Sequence, residues 1–543
     1  MNNDRVEGTP FYSVTQIASI SLGLILVSCR SAWRNSDELP GYCIQVSHPH
    51  AISVTGIRTA HPIRHKVFTR IGKTMTNSTS QNPDTHDVVV IGGGVVGCAM
   101  ARRFTLEGAR VLLLEKSPDI LSGASKGNSA ILHTGFDAPR GSLELECMQA
   151  GYREYLAIHR NLSLPLLETG AMVVAWNEDD LNKLEGIIQQ AHDNGVADVR
   201  FIDREGVRAR EPHLASAALG AALVPGEFLI DPWSAPLGYL LQAMLHGAQV
   251  RFNAQVTGGQ FDGQAWSLTT TAGGVKARTV INCAGLFGDH LERDLLGQSS
   301  FSIHPRKGQF VVFDKAASRY LGNIILPVPN ERTKGIVLTK TVYGNLLVGP
   351  TAEEQDDRVH ARLDSAVLQQ LVDAAVERIP ALEGMPVTAT YAALRPATEK
   401  KEYRIRKVDG KNWITVGGIR STGLTAALGI AKHVFSLYEG RHAPVASHDL
   451  QWPALPNLAE HLARDYQKPG YGEIICHCEM VTLREINAAL ASALPPGDLG
   501  GLKRRTRACM GRCQGFYCGA RVAQLSADRL AIPLATGVCH ESR

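Results

Sequence analysis

Four cysteines near the C-terminus have the residue type and the spacing of a metal site. Cys476 and Cys478 are separated by one residue, Cys513 and Cys518 by four, and 34 residues lie between the pairs. Thiolates are soft ligands, and four that converge suit either zinc or an iron–sulfur cluster. Because five of the eleven cysteines fall between residues 476 and 518, the pattern predicts one local metal centre rather than scattered disulfides.

A second group of residues has the spacing of a dinucleotide site. Gly92, Gly94 and Gly97 form a G-x-G-x-x-G motif between an apolar run at 87–91 and a helical pattern. Such glycines allow a tight turn, the approach of a pyrophosphate and close packing of helix on strand. Glu115 ends the next apolar run, 18 residues beyond Gly97, where a carboxylate can bind ribose hydroxyls. The fingerprint predicts a dinucleotide-binding unit but does not choose between FAD and NAD.

The elements that must position these residues alternate between strands and helices. We expect strands at 87–91, 111–115, 276–283, 345–349 and 413–417, and helices at 98–107, 144–160, 179–194, 364–379 and 422–437. The first strands and helix form a βαβ unit, whereas the strand at 345–349 fits a more antiparallel domain. Residues 451–472 have the composition of a linker.

Length and composition limit the possible functions. A chain of 543 residues suggests two to four domains, and 44% hydrophobic with 20% charged residues is ordinary for a globular protein. A net charge of +4, without a basic stripe interleaved with aromatic residues, argues against nucleic acid as a partner. Eleven cysteines are too few for a disulfide scaffold.

Residues 1–74 differ from the rest and are expected to be a non-functional or targeting extension. The apolar stretch at 17–29 is shorter than the roughly 20 residues that span a bilayer. Asp4 and Glu7 precede it, whereas a signal peptide begins with basic residues. We therefore favour translation from Met75 and expect a cytoplasmic protein with, at most, peripheral contact at the inner face of the membrane.

Three further segments resemble the D-amino-acid-oxidase-like superfamily of FAD enzymes. Residues 122–135 are similar to its second flavin-contacting segment, and residues 280–285 to its strand and turn near the adenosine. Residues 416–425 resemble its last motif, in which a helix N-terminus faces the pyrimidine carbonyl of the flavin and would stabilise the reduced anion. The resemblance covers about residues 86–530 and implies that the cofactor is FAD.

Within the superfamily, residues 305–310, 344–351 and 393–396 are most similar to the branch of glycerol-3-phosphate dehydrogenase and L-2-hydroxyglutarate dehydrogenase. The cysteine tail resembles the bacterioferritin-associated-ferredoxin-like [2Fe–2S] module, which ends the large subunit of anaerobic glycerol-3-phosphate dehydrogenases. The implied fold class is α/β (α+β): a Rossmann-like FAD-binding domain interleaved with a β-rich substrate domain, then a small helical iron–sulfur domain. We expect the FAD-binding domain at 86–165, 241–300 and 395–445, the substrate domain at 166–240 and 301–394, a linker at 446–472 and the [2Fe–2S]-binding domain at 473–530.

The resemblance also implies the residues of both cofactor sites. Those expected to bind FAD are Gly92, Gly94, Gly97, Glu115, Lys116, Ser125, Asn128, Ser129, Val256, Ala284, Gly285, Gly418, Gly423 and Leu424. The implied cluster ligands are Cys476, Cys478, Cys513 and Cys518. Cys509 stands where the family has a small residue, and we favour a buried apolar role for it over ligation. Zinc remains the rival metal, since four thiolates also suit structural zinc.

Two residues are candidates for substrate chemistry. Hydride transfer from an alcohol needs a group that takes the hydroxyl proton, and His133 lies in the flavin-contacting segment. Packing of His133 against the flavin is an equal alternative. Arg395 resembles the arginine that grips the substrate anion in related dehydrogenases, and its guanidinium fits phosphate and carboxylate equally well. Arg420 and Lys307 are secondary candidates.

These residues together predict an FAD- and [2Fe–2S]-dependent dehydrogenase. It would oxidise sn-glycerol 3-phosphate or a similar small 2-hydroxy anion and pass electrons through the cluster to a partner subunit or quinone-linked acceptor. A cluster that takes one electron at a time favours a dehydrogenase over a peroxide-forming oxidase. Alternatives are an amine- or opine-type oxidase subunit, an L-2-hydroxyglutarate dehydrogenase, and a redox-regulated binding protein with flavin and zinc.

Overall fold

The computed structural model describes residues 85–329 and 335–534, so the expectations for residues 1–74 and Met75 lie outside the described residues. Its strands are β1 Thr85–Ile91, β2 Val111–Leu114, β3 Ile131–Leu132, β4 Leu166–Leu167, β5 Ala171–Ala175, β6 Arg200–Asp203, β7 Gly220–Val224, β8 Phe228–Ile230, β9 Gln249–Arg251, β10 Val256–Phe261, β11 Trp266–Thr270, β12 Gly273–Asn282, β13 Ile303–Phe313, β14 Ile324–Pro327, β15 Val337–Lys340, β16 Leu346–Gly349, β17 Glu353–Glu354, β18 Val387–Thr398, β19 Arg404–Val408, β20 Trp413–Gly417, β21 Ile474–Cys476 and β22 Val481–Thr482.

The α-helices of the described residues follow the same order. They are α1 Val95–Leu106, α2 Leu143–Ile158, α3 Glu178–Asp193, α4 Arg204–Arg210, α5 Ser234–Leu245, α6 Gly288–Leu296, α7 Ser365–Arg378, α8 Gly423–Leu437, α9 Leu483–Leu490, α10 Leu499–Thr506 and α11 Gly519–Ser526. None of these helices is both long and apolar enough to cross a membrane.

The first sheet has a parallel core. Strands β9, β2, β1 and β12 lie side by side in that order, and β20 pairs in parallel with the C-terminal part of β12. The antiparallel strands β10 and β11 continue from the N-terminal part of β12, and β19 pairs with β20. Residues 87–91 of β1 are all buried, which is typical of a parallel strand covered on both faces.

Helices α1, α2, α5 and α8 share one apolar cluster with β1 and β2. The crossing of α2 and α8 depends on two glycines. A Cβ on Gly151 would lie 2.0 Å from the carbonyl oxygen of Thr425, and one on Gly429 would lie 2.0 Å from that of Cys147. The two helices approach closely because neither position carries a side chain, and this contact fixes where α8 begins.

The second sheet is mostly antiparallel. Its order is β17, β13, β16, β15, β14, β5, β7 and β6, with β18 paired along β13, and only β14 and β5 are parallel neighbours. Helices α4 and α7 bury Val207, Leu371 and Ala375 in the apolar cluster of this sheet. The register of β13 and β18 places Arg395 opposite Arg306. The expected mixed α/β class, with a β-rich second domain, is confirmed.

The strands and helices predicted from sequence patterns are confirmed with small shifts of their ends. The strand predicted at 345–349 is β16, and the helix predicted at 364–379 is α7. Helix α1 begins three residues earlier than predicted, because Gly94 serves as its N-cap. The glycine turn therefore runs directly into the helix, with no intervening loop.

Two of the expected domain boundaries fall inside elements. Helix α5 begins at Ser234, and its Ala235 and Tyr239 belong to the apolar cluster of the first sheet, although we expected that domain to resume at residue 241. Strand β18 runs to Thr398 and pairs with β13 past the boundary expected at residue 395. The packing favours boundaries just before α5 and just after β18.

The segment predicted as a linker is irregular but packed. Residues 451–472 contain no α-helix or β-strand, as expected. Leu455 and Leu458 are nevertheless buried, and the N–H of Glu460 donates to the carbonyl oxygen of Val342 at 2.9 Å. The segment therefore attaches the C-terminal module to the preceding domains.

The C-terminal module consists of the β21–β22 hairpin and helices α9, α10 and α11 around its own apolar core. A buried ion pair joins it to the first domain: Arg505 donates from Nη1 to Oδ2 of Asp119 at 2.6 Å and from Nη2 to Oδ1 at 2.8 Å. Arg512 joins it to the second domain through Asp314, at 2.8 Å. The module thus contacts both larger domains through charged pairs.

The buried pair leads to a prediction about stability. Arg505→Ala leaves the carboxylate of Asp119 buried without its cation, which should lower the free energy of unfolding by roughly 3–5 kcal/mol. Arg521→Ala, which removes an exposed pair with Glu473, is the matched control and should cost about 1 kcal/mol or less. Denaturation midpoints and proteolysis within residues 446–472 would measure both. Equal midpoints for the two variants would show that this pair does not hold the module in place.

Candidate active site and metal centre

A cavity of about 710 Å3 is lined by residues of both large sheets. All of the predicted FAD-binding residues except Gly97 line it, and Arg395 lines it as well. His133 and Lys307 are not among its lining residues. Residues from seven separate stretches of chain thus meet at one place, which supports their assignment to a single site.

The glycine turn shapes one end of the cavity. Gly92 has a φ of +111°, and a Cβ there would lie 2.4 Å from the carbonyl oxygen of Cys283. Gly97 lies in the first turn of α1, where a Cβ would come within 1.9 Å of the carbonyl oxygen of Gly92. The absence of a side chain at Gly97 lets α1 pack against the turn. Gly97 therefore lies behind the cavity wall and does not line it. Gly94 caps α1 without a side-chain hydrogen bond, so the helix start suits an anion such as pyrophosphate.

Two side chains hold this turn. Glu115 accepts hydrogen bonds from the N–H of Gly93 at 2.6 Å and from that of Ser117 at 2.8 Å. Ser125 Oγ accepts from the N–H of Val95 at 3.1 Å. A carboxylate has about four acceptor positions, so Glu115 retains capacity for ribose hydroxyls.

The first turn of α8 forms another part of the wall. Gly423 and Leu424 line the cavity, and α8 begins without a side-chain cap. Thr422, just before the helix, donates to Oε1 of Glu144 at 2.8 Å and lies 2.6 Å from the hydroxyl of Tyr403. These contacts fix the helix start, whose N–H groups are suited to partial negative charge.

Arg395 brings a positive charge into the cavity wall. Its Nη2 donates to the carbonyl oxygens of Thr351 at 2.5 Å and Lys307 at 3.1 Å. Burial, together with the nearby Arg306, lowers the pKa of Arg395 to about 10. Within the described ranges no carboxylate forms an ion pair with Arg395, whereas Arg306 pairs with Glu354. The side chain is held by neutral oxygens, and its charge is available to an anionic ligand.

His133 lies at the end of β3, outside the cavity lining. Its ring Nδ1 is 2.7 Å from Oε2 of Glu227. Its backbone N–H donates to Oγ1 of Thr425 in α8 at 3.0 Å. Glu227 is completely buried and also accepts from the N–H of Thr134 at 2.6 Å. Sequence patterns give no sign of Glu227, because 94 residues separate it from His133.

The secondary candidates are already paired. Lys307 forms an ion pair with Glu353 at 3.0 Å, and Arg420, which does line the cavity, donates to Glu144 at 3.1 Å. Arg358 was missed from the sequence. It lines the cavity and holds both carboxylate oxygens of Asp289, at 2.5 and 2.9 Å.

The C-terminal cysteines come together as two pairs. The thiols of Cys476 and Cys518 are in hydrogen-bonding contact, and so are those of Cys478 and Cys513. In the described part of the chain, no three His, Cys, Asp or Glu side chains form a complete metal site. Four neighbouring cysteines are a ligand set that suits a [2Fe–2S] cluster or a structural zinc.

The backbone around the cysteines also suits an anionic cluster. The N–H groups of Tyr517, Gly515 and Phe516 donate to the sulfur of Cys513, and that of Tyr517 contributes most to lowering the pKa of this thiol. Burial raises the pKa of Cys476 to about 11. N–H groups directed at ligand sulfurs stabilise the charge that a cluster carries.

The fifth thiol is close to this set. Cys509 is buried, as expected, and its sulfur lies 3.4 Å from that of Cys518. The tail residues Cys539 and His540 lie outside the described residues.

Two families match this chain. The FAD dependent oxidoreductase (DAO) family matches residues 87–437, which contain the cavity and both large sheets. The chain belongs to this family. The BFD-like [2Fe-2S] binding domain matches residues 474–527, which contain the four cysteines. The predicted cofactors, FAD and a [2Fe–2S] cluster, are thereby confirmed.

Relatives of this FAD dependent oxidoreductase extend over most of the chain. A glycerol 3-phosphate dehydrogenase of Caloramator mitchellensis is 30% identical over 458 residues, which are 82% of this chain and 95% of the relative. One subunit of the anaerobic glycerol-3-phosphate dehydrogenase of Escherichia coli K12 is 24% identical over 500 residues, 82% of this chain and 89% of the relative. The dithionite-reduced L-alpha-glycerophosphate oxidase of Mycoplasma pneumoniae, with FAD bound, has a similar structure with a TM-score of 0.64, 25% identity and coverage of 69% of this chain and 99% of its own.

The close approach at Gly97 leads to a prediction about FAD binding. Gly97→Ala puts a methyl group 1.9 Å from the carbonyl oxygen of Gly92, so α1 must move away from the turn, and we expect purified protein with little flavin. Gly186→Ala in α3 is the matched control, because a Cβ there meets nothing within 4 Å and alanine favours a helix by up to about 1 kcal/mol. The ratio of flavin absorbance to protein measures the effect. Full flavin in both variants would contradict the assigned role.

The cysteine geometry leads to a prediction about the metal. Cys513→Ser removes a proposed ligand and should abolish iron and acid-labile sulfide in the purified protein. Cys509→Ser changes a neighbouring thiol and should retain both, with an unchanged visible spectrum. Analysis of iron and acid-labile sulfide after anaerobic purification measures whether each variant retains the cluster. Loss of the cluster in Cys509→Ser but not in Cys513→Ser would show that Cys509, and not Cys513, is the ligand.

Proposed function

We propose that this chain is an FAD-dependent dehydrogenase that oxidises sn-glycerol 3-phosphate at its secondary hydroxyl. In this proposal the electrons pass through the [2Fe–2S] cluster to a partner acceptor. The observation that carries it is Arg395, a partly buried cation in the cavity wall that is held by carbonyl oxygens. When bound, FAD supplies the hydride acceptor.

The charge of Arg395 supports an anionic substrate. A cation removed from water without a counter-ion is unfavourable, and a phosphate or carboxylate in the cavity would offset that cost with charge-assisted hydrogen bonds. Arg358 and Arg420 also line the cavity, but each already has a carboxylate partner. Arg395 is therefore the arginine that we assign to the substrate anion. The names of the relatives favour glycerol phosphate over a dicarboxylate.

We assign removal of the hydroxyl proton to His133. The contact of 2.7 Å between its Nδ1 and Oε2 of Glu227 orients the ring, and an oriented imidazole suits transfer of a hydroxyl proton. The backbone N–H of His133 donates to Oγ1 of Thr425, which follows the cavity-lining Gly423 and Leu424 in α8.

A continuous set of contacts supports a relay between the two cofactor sites. Arg507, two residues before Cys509, lies over the ring of Tyr343 at 4.0 Å. Tyr343 stacks on Trp233 with centroids 5.4 Å apart, and the indole N–H of Trp233 donates to the carbonyl oxygen of Lys126 at 3.1 Å. Lys126 lines the cavity. The cluster module and the cavity wall are thus joined through two stacked rings.

Anaerobic titration tests this function. Addition of sn-glycerol 3-phosphate to the holoenzyme should bleach the flavin band, and L-2-hydroxyglutarate should do so much less. Arg395→Met should lower kcat/KM by about 10- to 100-fold, because hydrogen bonds to charged groups contribute roughly 1.5–3 kcal/mol. The matched control is Arg306→Met, because Arg306 lies opposite Arg395 on the neighbouring strand β13. Bleaching by L-2-hydroxyglutarate alone would reject glycerol phosphate as the substrate, and equal effects of the two variants would reject the role of Arg395.

A further inference from the structure

The second domain places two consecutive charged residues against the C-terminal module. Strand β13 ends at Phe313, and Asp314 and Lys315 follow it directly. Oδ2 of Asp314 accepts from Nη2 of Arg512 at 2.8 Å and from its Nε at 3.0 Å. Nζ of Lys315 lies 3.3 Å from Oε2 of Glu479. A carboxylate and an ammonium group at one end of this strand therefore each pair with the opposite charge on the module.

Both partners on the module are neighbours of proposed cluster ligands in the chain. Glu479 directly follows Cys478, and Arg512 directly precedes Cys513. The thiols of Cys478 and Cys513 are in hydrogen-bonding contact, and they are the partly exposed members of the four proposed ligands. The second domain therefore contacts the module beside this pair of ligands.

The carboxylate of Glu479 is enclosed next to Cys478. Glu479 is 2% exposed, and its Oε2 accepts from Nε of Arg507 at 2.9 Å. A Cβ added at Gly511 would lie 2.2 Å from Cβ of Cys478 and 3.2 Å from Oε1 of Glu479. The ligand and the carboxylate thus pack around the same small space. Because buried charges are screened less than exposed ones, a change of charge here acts on the neighbouring metal centre.

Further contacts hold the two charged residues in place. Lys315 also pairs with Glu460 at 2.8 Å. Gln514 donates from Nε2 to the carbonyl oxygen of Thr388 at 3.0 Å, and the hydroxyl of Thr388 lies 3.4 Å from Oδ2 of Asp314. Thr388 is near the start of β18, which pairs with β13. The loop that carries Cys513 is therefore fixed against the adjacent ends of these two strands.

We propose that Asp314 and Lys315 are positioning residues of the second domain that set the reduction potential of the [2Fe–2S] cluster. Reduction adds one electron, and thus one negative charge, to the cluster, and net charge is among the factors that determine its potential. A nearby cation stabilises the added charge, whereas a nearby carboxylate destabilises it. Lys315 therefore raises the potential and Asp314 lowers it. The consequence, the ease with which electrons of the flavin enter the cluster, rests on the proposed function, but the potential itself does not.

The experiment measures the midpoint potential of the cluster in the full-length holoenzyme by redox titration, followed through the EPR signal of the reduced cluster. Asp314→Asn should raise the midpoint and Lys315→Met should lower it, each by about 30 mV or more, which is a roughly threefold change in the equilibrium constant of a one-electron couple. Asp314→Glu and Lys315→Arg keep the charges and are the matched controls, with potentials near that of the wild type. Asp314→Asn/Lys315→Met should also return close to the wild type, because the two charge changes are opposite.

Shifts of the same sign in Asp314→Asn and Lys315→Met would show that the two residues act only by docking the module, and would overturn the proposal. Unchanged potentials would do the same, as would a double variant that lies further from the wild type than either single variant. Loss of iron and acid-labile sulfide in either single variant would make that residue structural and also overturn it. If the potentials shift as expected but sn-glycerol 3-phosphate leaves the flavin oxidised, the proposed function fails and the roles of Asp314 and Lys315 stand.

Discussion

The cavity depends on contacts between backbone segments that leave no room for a side chain. Helix α1 rests on the carbonyl oxygen of Gly92 through Gly97, and the turn itself rests on Cys283 through Gly92. Helix α8 is set by its crossing with α2 at Gly429. These approaches place two helix N-termini, those of α1 and α8, in one cavity wall. Both ends favour negative charge, so one steric constraint produces an electrostatic environment suited to a flavin dinucleotide.

The same turn is connected to the cluster module. Asp119, which holds Arg505 of the module, lies two residues before Leu121, and the N–H of Leu121 donates to the carbonyl oxygen of Gly93 at 2.9 Å. A short loop therefore contacts the dinucleotide turn at one end and the C-terminal module at the other. Because the Asp119–Arg505 pair is buried, removal of either partner leaves an uncompensated charge. The dinucleotide turn and the C-terminal module are thus coupled through the fold.

Local patterns account for what the sequence could predict. The G-x-G-x-x-G turn, the cysteine spacing and the apolar periodicity each occupy a short stretch of chain, and each predicted the right element or cofactor. The contacts that complete the sites are remote: Arg505 meets Asp119 across 386 residues, and Glu227 meets His133 across 94. Such residues are far apart in the sequence and meet only in the folded chain, so no local periodicity relates them. For the same reason α5 could not be assigned to its domain from the sequence, since its packing on α1 is visible only in the fold.

The arginines of the cavity wall and of the C-terminal module differ in whether a carboxylate pairs with them. In the cavity wall, neutral carbonyl oxygens hold Arg395, whereas Arg358 and Arg420 are paired with Asp289 and Glu144. The guanidinium of Arg395 is therefore suited to a charge-assisted hydrogen bond with an anion. At the C-terminal module Arg505 and Arg512 are likewise paired, with Asp119 and Asp314. The stacked rings of Tyr343 and Trp233 join Arg507 of this module to the cavity wall.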